Sequence, residues 1–237
     1  MSDPSNRAEV GGVRWHPFTT SDALLTDARD RVIATANDAI SSRERFVVVL
    51  SGGNTPRALY RSLRDADTDW TRWHVYYGDE RCVPANDIDR NSTMAAETLL
   101  DAVAIPPEQC HAIPGELGAD AAARAYSEIL RDVGTFDLVL LGLGEDGHTA
   151  SLFPHATERL VGARGEVIAV SDAPKPPAER VSLSASRLSD ARVVLFLVSG
   201  ESKRDAVRRW RDGEDIPAAT ILPDAGVDVL VDAALVE

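Results

Sequence analysis

The chain has 237 residues, of which 44% are hydrophobic and 27% are charged, as in an ordinary globular protein. Its formal net charge of −13 argues against nucleic acid or an anionic membrane as partner, because both are bound through basic patches. Any anionic ligand must therefore find a locally positive pocket. Cys82 and Cys110 lack metal-ligand spacing, no apolar run approaches about 18 residues, and the first residues carry no apolar signal segment. The sequence thus predicts a cytoplasmic protein with a flexible tail over residues 1–12.

Short apolar runs alternate along the chain with stretches of helical periodicity. Apolar residues recur at helical spacing at Leu25, Ala28, Val32, Ala36 and Ala39. The predicted order continues as strand 46–50, helix 57–63, strand 74–77, helices 93–103 and 120–133, strands 136–143 and 192–198, helix 202–210 and strand 227–231. Continuous apolar strands between helices predict a doubly wound, mostly parallel α/β sheet of the Rossmann-like kind. We expect one catalytic domain over residues 1–237, with the proline-rich segment 171–180 as a loop inside it.

In sheets of this kind a ligand binds beyond the carboxyl ends of the strands, so the residues after each apolar run are the candidates. The strand 46–50 is followed by Ser51, Gly52, Gly53, Asn54 and Thr55, and then by Pro56 and a predicted helix. Two glycines allow close backbone approach, Thr55 is expected to cap the helix, and the free N–H groups at its start favour an anion. The segment predicts a phosphate cradle, and a plain tight turn is the alternative.

Charged residues follow two further strands. Asp79, Glu80 and Arg81 come after strand 74–77, where Arg81 is expected either to bind a phosphate or to hold one of the two carboxylates. A solvated charge run is the alternative for this segment. Lys203 follows strand 192–198 in the first turn of a predicted helix, a position that favours a cation only beside a bound anion. The chain has only two lysines against 23 arginines, and the second lysine is Lys175 in the proline-rich loop.

The most informative segment is 142–154, which follows the strand 136–143. It places His148 at a glycine-rich strand end, where a neutral imidazole can take a proton from water, with Asp146 two residues earlier to orient the ring. A purely structural histidine is the alternative, and it is the expected role of His16, His74, His111 and His155. The segment matches GxGxxG, but Pro154 ends the helix that a dinucleotide site requires. No G-x-S-x-G surrounds Ser151, and no metal-ligand spacing occurs.

Five motifs in this order, SGGNTP, GDERCVP, GLGEDGHTASLFP, PKPPAER and SGESK, closely resemble the 6-phosphogluconolactonase family over residues 15–232. The resemblance implies hydrolysis of 6-phospho-D-glucono-1,5-lactone in the pentose phosphate pathway, with no metal and no organic cofactor. It implies that His148 activates the hydrolytic water and that Ser51 to Thr55 lie against the sugar phosphate. It also implies substrate contacts for Arg81 and Lys203, and it places Lys175 and Arg180 in a substrate loop. Either Arg81 or a backbone N–H is expected to stabilise the oxyanion.

The related glucosamine-6-phosphate isomerase/deaminases provide the alternative function. They typically read DGH-x-A-F-N-E-P, with a glutamate that helps to open the sugar ring. Phe153 stands at the position of that glutamate and cannot transfer a proton, so the resemblance favours the lactonase. A non-catalytic sugar-phosphate sensor is a further alternative, and a turnover assay would distinguish it from an enzyme.

Overall fold

The computed structural model describes residues 9–10, 12–154 and 165–237, and these form ten strands and six α-helices. The strands are β1 (Glu9–Val10), β2 (Val13–Phe18), β3 (Phe46–Leu50), β4 (Trp73–Tyr77), β5 (Asp79–Arg81), β6 (Phe136–Gly142), β7 (Val167–Val170), β8 (Arg180–Leu183), β9 (Ala191–Val198) and β10 (Val227–Asp232). The helices are α1 (Ser21–Arg43), α2 (Asn54–Leu63), α3 (Asn91–Thr98), α4 (Ala119–Leu130), α5 (Ala185–Ser189) and α6 (Arg204–Arg211).

Seven strands form the main sheet, in the order β1-β2-β10-β9-β6-β3-β4. All neighbours in it are parallel except β1, which pairs antiparallel with β2 at the edge. Every residue of β3 is buried, because the strand has sheet neighbours on both sides and helices over its faces. The predicted doubly wound α/β class is confirmed.

The chain leaves β3 and β6 in opposite directions, although the two strands are neighbours in the sheet. After β3 it crosses to β4 on one side, and after β6 it crosses to β9 on the other. This is the switch point of the strand order, where the crevice beyond the carboxyl ends opens.

A second, three-stranded antiparallel sheet has the order β5-β8-β7 and corrects one sequence prediction. Asp79 to Arg81 were expected only as charged residues after the end of strand 74–77, with a solvated charge run as the alternative, but they form a strand that pairs with Arg180 to Ser182. A strand of three charged residues has no apolar pattern from which it could be predicted. It can be recognised only in the structure, where it pairs with a distant segment. The proline-rich residues 171–179 connect β7 to β8, in agreement with the expected loop.

The helices follow the prediction with shifted boundaries. The buried face of α1 has Leu24 in place of the predicted Leu25 and otherwise contains the expected residues. The helix predicted at 93–103 is α3, over Asn91–Thr98. The helix predicted at 202–210 begins at Arg204, after a 3-10 turn over Glu201–Lys203.

One hydrophobic core joins residues of both sheets, among them Val181 of β8 and Val194 of β9. This continuity supports the proposal that the chain forms one domain. Residues 9–10 of the predicted tail pair as a strand, which corrects that part of the prediction, and residues 1–8 and 11 lie outside the described residues. In the described part of the chain, no helix is long and apolar enough to cross a membrane.

Candidate active site

A pocket of about 230 Å³ opens at the switch point. Ten of the twelve predicted site residues line it: Ser51, Gly52, Gly53, Thr55, Asp79, Arg81, His148, Lys175, Arg180 and Lys203. Asn54 is exposed outside the pocket wall as the first residue of α2, so the structure does not bring it to the site. Asp146 also lies outside the wall, behind His148. The site therefore gathers segments that are far apart in the chain.

His148 and Asp146 form a hydrogen-bonded pair at the end of β6. His148 Nδ1 lies 2.5 Å from Asp146 Oδ1, and the backbone N–H of His148 donates to the same oxygen at 3.1 Å. Partial burial raises the pKa of Asp146, but the adjacent His148 ring and its hydrogen bonds outweigh this and lower that pKa below its usual value. An ionised carboxylate can only accept, so Nδ1–H is the donor, and in a neutral imidazole Nε2 then carries the lone pair.

The loop around this pair is held by close backbone packing. A Cβ atom on Gly144 would lie 2.0 Å from His148 Nδ1, so only glycine leaves room for the ring. The Gly144 N–H donates to His148 O at 2.7 Å, and Thr149 Oγ1 donates to Gly142 O at 2.9 Å. Arg209 of α6 contacts the loop, and its Nη1 donates to Asp146 O at 3.2 Å. Sequence reasoning missed Arg209, because it lies in a helix rather than after a strand.

The N-terminus of α2 faces the pocket beside Gly52 and Gly53. The structure corrects the predicted cap: Gly53 is the N-cap residue and provides no side-chain hydrogen bond, while Thr55 Oγ1 bonds Ser199 Oγ at 2.8 Å. The first turn of α2 thus lines the pocket without a capping side chain, an arrangement that suits an anion. Lys203 lies in the turn that precedes α6 rather than in its first turn, and it lines the same pocket.

Arg81 enters the pocket without holding either neighbouring carboxylate. Its Nη1 donates to Asp89 O, and its buried Nε has no hydrogen-bond partner among the described residues. Glu80 faces away from the pocket: it is fully buried, accepts from Asn91 N and Ser92 N at the start of α3, and pairs with Arg90. Asp146, and not Glu80, is therefore the carboxylate in contact with His148.

Asp79 is a buried carboxylate in the pocket wall, held by two residues that sequence reasoning did not select. Ser151 Oγ donates to its Oδ2 at 2.5 Å, and Asn91 Nδ2 donates to its Oδ1 at 3.1 Å. Asn91 also fills the space over Gly52, where a Cβ atom would lie 2.0 Å from Asn91 Oδ1. Asn91 starts a helix far from any strand end, so the strand-end rule could not identify it.

Arg180 connects the proline-rich loop to the pocket. Its guanidinium donates to Pro177 O at 3.1 Å and to Lys175 O at 3.0 Å, and it lies 5.7 Å from the centre of the Phe153 ring. Burial lowers the pKa of Arg180, and the negative charge of Asp79 partly offsets this. Phe153 is itself buried, with its ring centre 4.8 Å from that of His148. One aromatic ring thus contacts both the imidazole and the guanidinium.

Three other histidines lie away from the pocket. His16 lies in β2 and bonds Asp228 at 2.6 Å. His74 and His111 stack with ring centres 6.3 Å apart, and burial lowers the pKa of both. These placements fit the expected structural roles, and the prediction for His155 lies outside the described residues.

Comparison with known proteins identifies the family. The model of the glucosamine-6-phosphate isomerases/6-phosphogluconolactonase family matches residues 19–230. The chain belongs to this family. It is 39% identical to the 6-phosphogluconolactonase of Mycobacterium leprae over 88% of this chain and 89% of that protein. The corresponding values for the 6-phosphogluconolactonase of Nostoc sp. are 35%, 90% and 92%. The 6-phosphogluconolactonase structure from Trypanosoma brucei superposes with a TM-score of 0.82 at 27% identity, covering 93% of this chain and 96% of that one.

Proposed function

We propose that the chain hydrolyses 6-phospho-D-glucono-1,5-lactone to 6-phosphogluconate, in the oxidative pentose phosphate pathway, with His148 as general base. The observation that carries the mechanism is the His148–Asp146 pair at the wall of a pocket lined with cationic side chains. The carboxylate accepts from Nδ1–H, so in the neutral ring Nε2 is the nitrogen that accepts a proton from water. The relatives named 6-phosphogluconolactonase support the lactone as substrate.

The phosphate end of the substrate is bound at the start of α2. The N–H groups beside Gly52 and Gly53 donate to the phosphate, and Lys203 and Arg81 supply positive charge. Each charge-assisted hydrogen bond contributes about 1.5–3 kcal/mol, and this binding energy orients the lactone carbonyl at the opposite end of the pocket. Local cations also offset the −13 charge of the whole chain.

The chemical step is the attack of water on C1. His148 Nε2 takes a proton from the water, the water oxygen bonds to C1, and the negative charge develops on the carbonyl oxygen. Arg81 or a backbone N–H stabilises that oxygen. The C1–O5 bond then breaks, and the imidazolium returns its proton to O5. Asp146 stabilises the imidazolium while it exists.

The isomerase alternative is disfavoured by Phe153. Its buried ring lies against His148, so the position where the related enzymes carry a glutamate holds a group that cannot transfer a proton. The cytoplasm is the proposed location, because both cysteines are free thiols. The proposed partner is a small phosphorylated lactone, with neither nucleic acid nor membrane involved.

A turnover assay tests the proposal. The lactone is generated from glucose 6-phosphate by its dehydrogenase, and 6-phosphogluconate is measured with a second, coupled dehydrogenase. We expect the chain to accelerate its appearance well beyond spontaneous hydrolysis and to release no ammonia from glucosamine 6-phosphate. Ammonia release without lactone hydrolysis would establish the isomerase alternative, and inactivity with both substrates would favour the sensor.

A further inference from the structure

Both lysines of the chain line the active-site pocket, whereas its 23 arginines are spread over the whole sequence. The difference matters because of the proposed substrate. A lactone is an activated ester that reacts with an amine to form a stable amide, and an arginine guanidinium does not react in this way under mild conditions. The chain therefore exposes its lysine nucleophiles at the place where the electrophile is concentrated.

The two lysines lie at different ends of the pocket. Lys203 is beside Ser199 and Thr55, where the phosphate binds, and a phosphate monoester does not acylate amines. Lys175 lies near the catalytic loop: its Nζ is 3.5 Å from Glu145 Oε2, three residues before His148. Since the carbonyl must lie at His148 to be hydrolysed, Lys175, which pairs with the loop that carries His148, is the lysine on the side of the reacting carbon.

Lys175 is also free to move toward that carbon. Its side chain is 68% exposed and its ion pair with Glu145 is at the surface, where such pairs contribute about 0–1 kcal/mol. The backbone beneath it is fixed instead, because Arg180 donates to Lys175 O at 3.0 Å. The side-chain amine can therefore move while the backbone of Lys175 stays fixed, and it can reach C1 of a bound lactone.

We propose that Lys175 is a covalent modification site for the lactone itself. The Lys175 ammonium first loses a proton to solvent; the neutral Nζ then attacks C1, the Nζ–C1 bond forms, the C1–O5 bond breaks, and O5 takes up the second proton that the amine loses. The product is a 6-phosphogluconoyl amide on Lys175, and no other reactant is consumed. The modification removes a cation from the pocket mouth and adds a phosphate of about −2. It therefore inactivates the enzyme slowly when lactone is in excess.

This inference rests on the proposed function. The test uses His148→Ala, because loss of the general base slows hydrolysis and leaves the lactone bound for longer. The variant is incubated with fresh lactone and analysed by intact mass and peptide mapping. We expect one phosphogluconoyl group on Lys175, formed at least about tenfold faster than on Lys203 or the α-amino group, because a bound ester reacts at high effective concentration. Saturating 6-phosphogluconate should suppress the reaction at Lys175 and leave the α-amino group unaffected.

The matched control is the double variant His148→Ala, Lys175→Arg, which should lose this adduct and retain the slow background on the α-amino group. Equal labelling of all three amines, or labelling of Lys175 that the product does not suppress, would overturn the inference. If His148→Ala still hydrolyses the lactone rapidly, the assigned base is wrong. In that case the labelling of Lys175 is measured in the wild-type protein under continuous lactone supply. Failure of the His148 assignment is thereby distinguished from failure of the Lys175 proposal.

Discussion

At the scale of single residues, the properties of the site depend on a pair that the sequence places only two positions apart. The glycines around His148 and the carboxylate of Asp146 were sufficient to predict their proximity. The orientation of the ring was not predictable, because it depends on Gly144 leaving space and on Arg209 holding the loop from a distant helix. Ser151 and Asn91 were missed for the same reason, since their partner Asp79 is brought to them by the fold.

Asp146→Asn tests the role of this carboxylate. The amide keeps the shape of the side chain but removes the charge that stabilises the imidazolium, at a cost of about 1.5–3 kcal/mol for a charge-assisted hydrogen bond. We expect kcat to fall by about ten- to a hundredfold with KM nearly unchanged. An unchanged kcat would exclude this role.

At the scale of elements, strands buried on both faces were predictable from their apolar runs, and the second sheet was not. β5, β7 and β8 have only three or four residues each; β5 pairs with β8 across about 100 residues of chain, and β7 pairs with β8 across the proline-rich loop. The boundaries of α3 and α6 shifted because of interactions at the helix starts that the apolar pattern does not show. The carboxylate of the distant Glu80 accepts from the first N–H groups of α3, and a 3-10 turn precedes α6.

The helix α6 positions the catalytic loop through Arg209, whose Nε is itself held by Glu214 at 2.9 Å. Arg209→Ala removes the hydrogen bond to Asp146 O. We expect kcat to fall by up to about tenfold, with little change in KM or melting temperature, since one such bond contributes about 0.5–1.5 kcal/mol. Arg211→Ala is the matched control: it lies in the same helix and contacts Val236 O instead. Equal kcat values for the two variants would show that Arg209 does not position the loop.

A largely buried ion cluster between β2 and β10 makes stability depend on pH. Asp228 of β10 accepts from Arg14 at 2.6 Å and from His16 at 2.6 Å. Burial raises the pKa of Asp228, but these hydrogen bonds outweigh it and hold that pKa well below its usual range. A depressed pKa in the folded state stabilises the protein above the unfolded-state pKa of about 3.9, and this contribution is lost as the pH falls below it.

Asp228→Asn should therefore lower the free energy of unfolding by about 2 kcal/mol at pH 7. The difference from the wild type should persist down to about pH 5 and shrink below about pH 4. Urea unfolding at a series of pH values measures it. Asp224→Asn, at an exposed position in the preceding turn, is the control and should change stability by less than about 0.5 kcal/mol. A difference that grows toward acid pH would contradict the account.

At the scale of the whole molecule, an acidic chain binds an anionic substrate by concentrating cations at one crevice. Arg81 ends β5, Arg180 begins β8, Lys175 lies in the loop before β8 and Lys203 lies in the 3-10 turn before α6, and the fold brings all four to one pocket. The fold class and the position of this crevice followed from the strand-helix alternation alone. The residues that form the pocket wall could not be predicted from this alternation, because their positions depend on the second sheet.

Salt dependence follows from this charge distribution. Raising the ionic strength from about 0.01 M to 1 M shortens the screening length from about 30 Å to 3 Å. We expect KM for the phosphorylated lactone to rise several-fold and kcat to stay nearly constant. Unphosphorylated gluconolactone is the control substrate, and its KM should change little because it carries no charge. Equal salt effects on the two substrates would argue against a cationic phosphate site.

The most direct test of the central claim is the kinetics of His148→Ala with 6-phosphogluconolactone. Loss of the general base should lower kcat at least about a hundredfold, with KM little changed because the phosphate contacts remain. Binding of 6-phosphogluconate, measured by calorimetry, should be retained and would show that the pocket is intact. Near-normal turnover by the variant would contradict the assignment of His148 as the base.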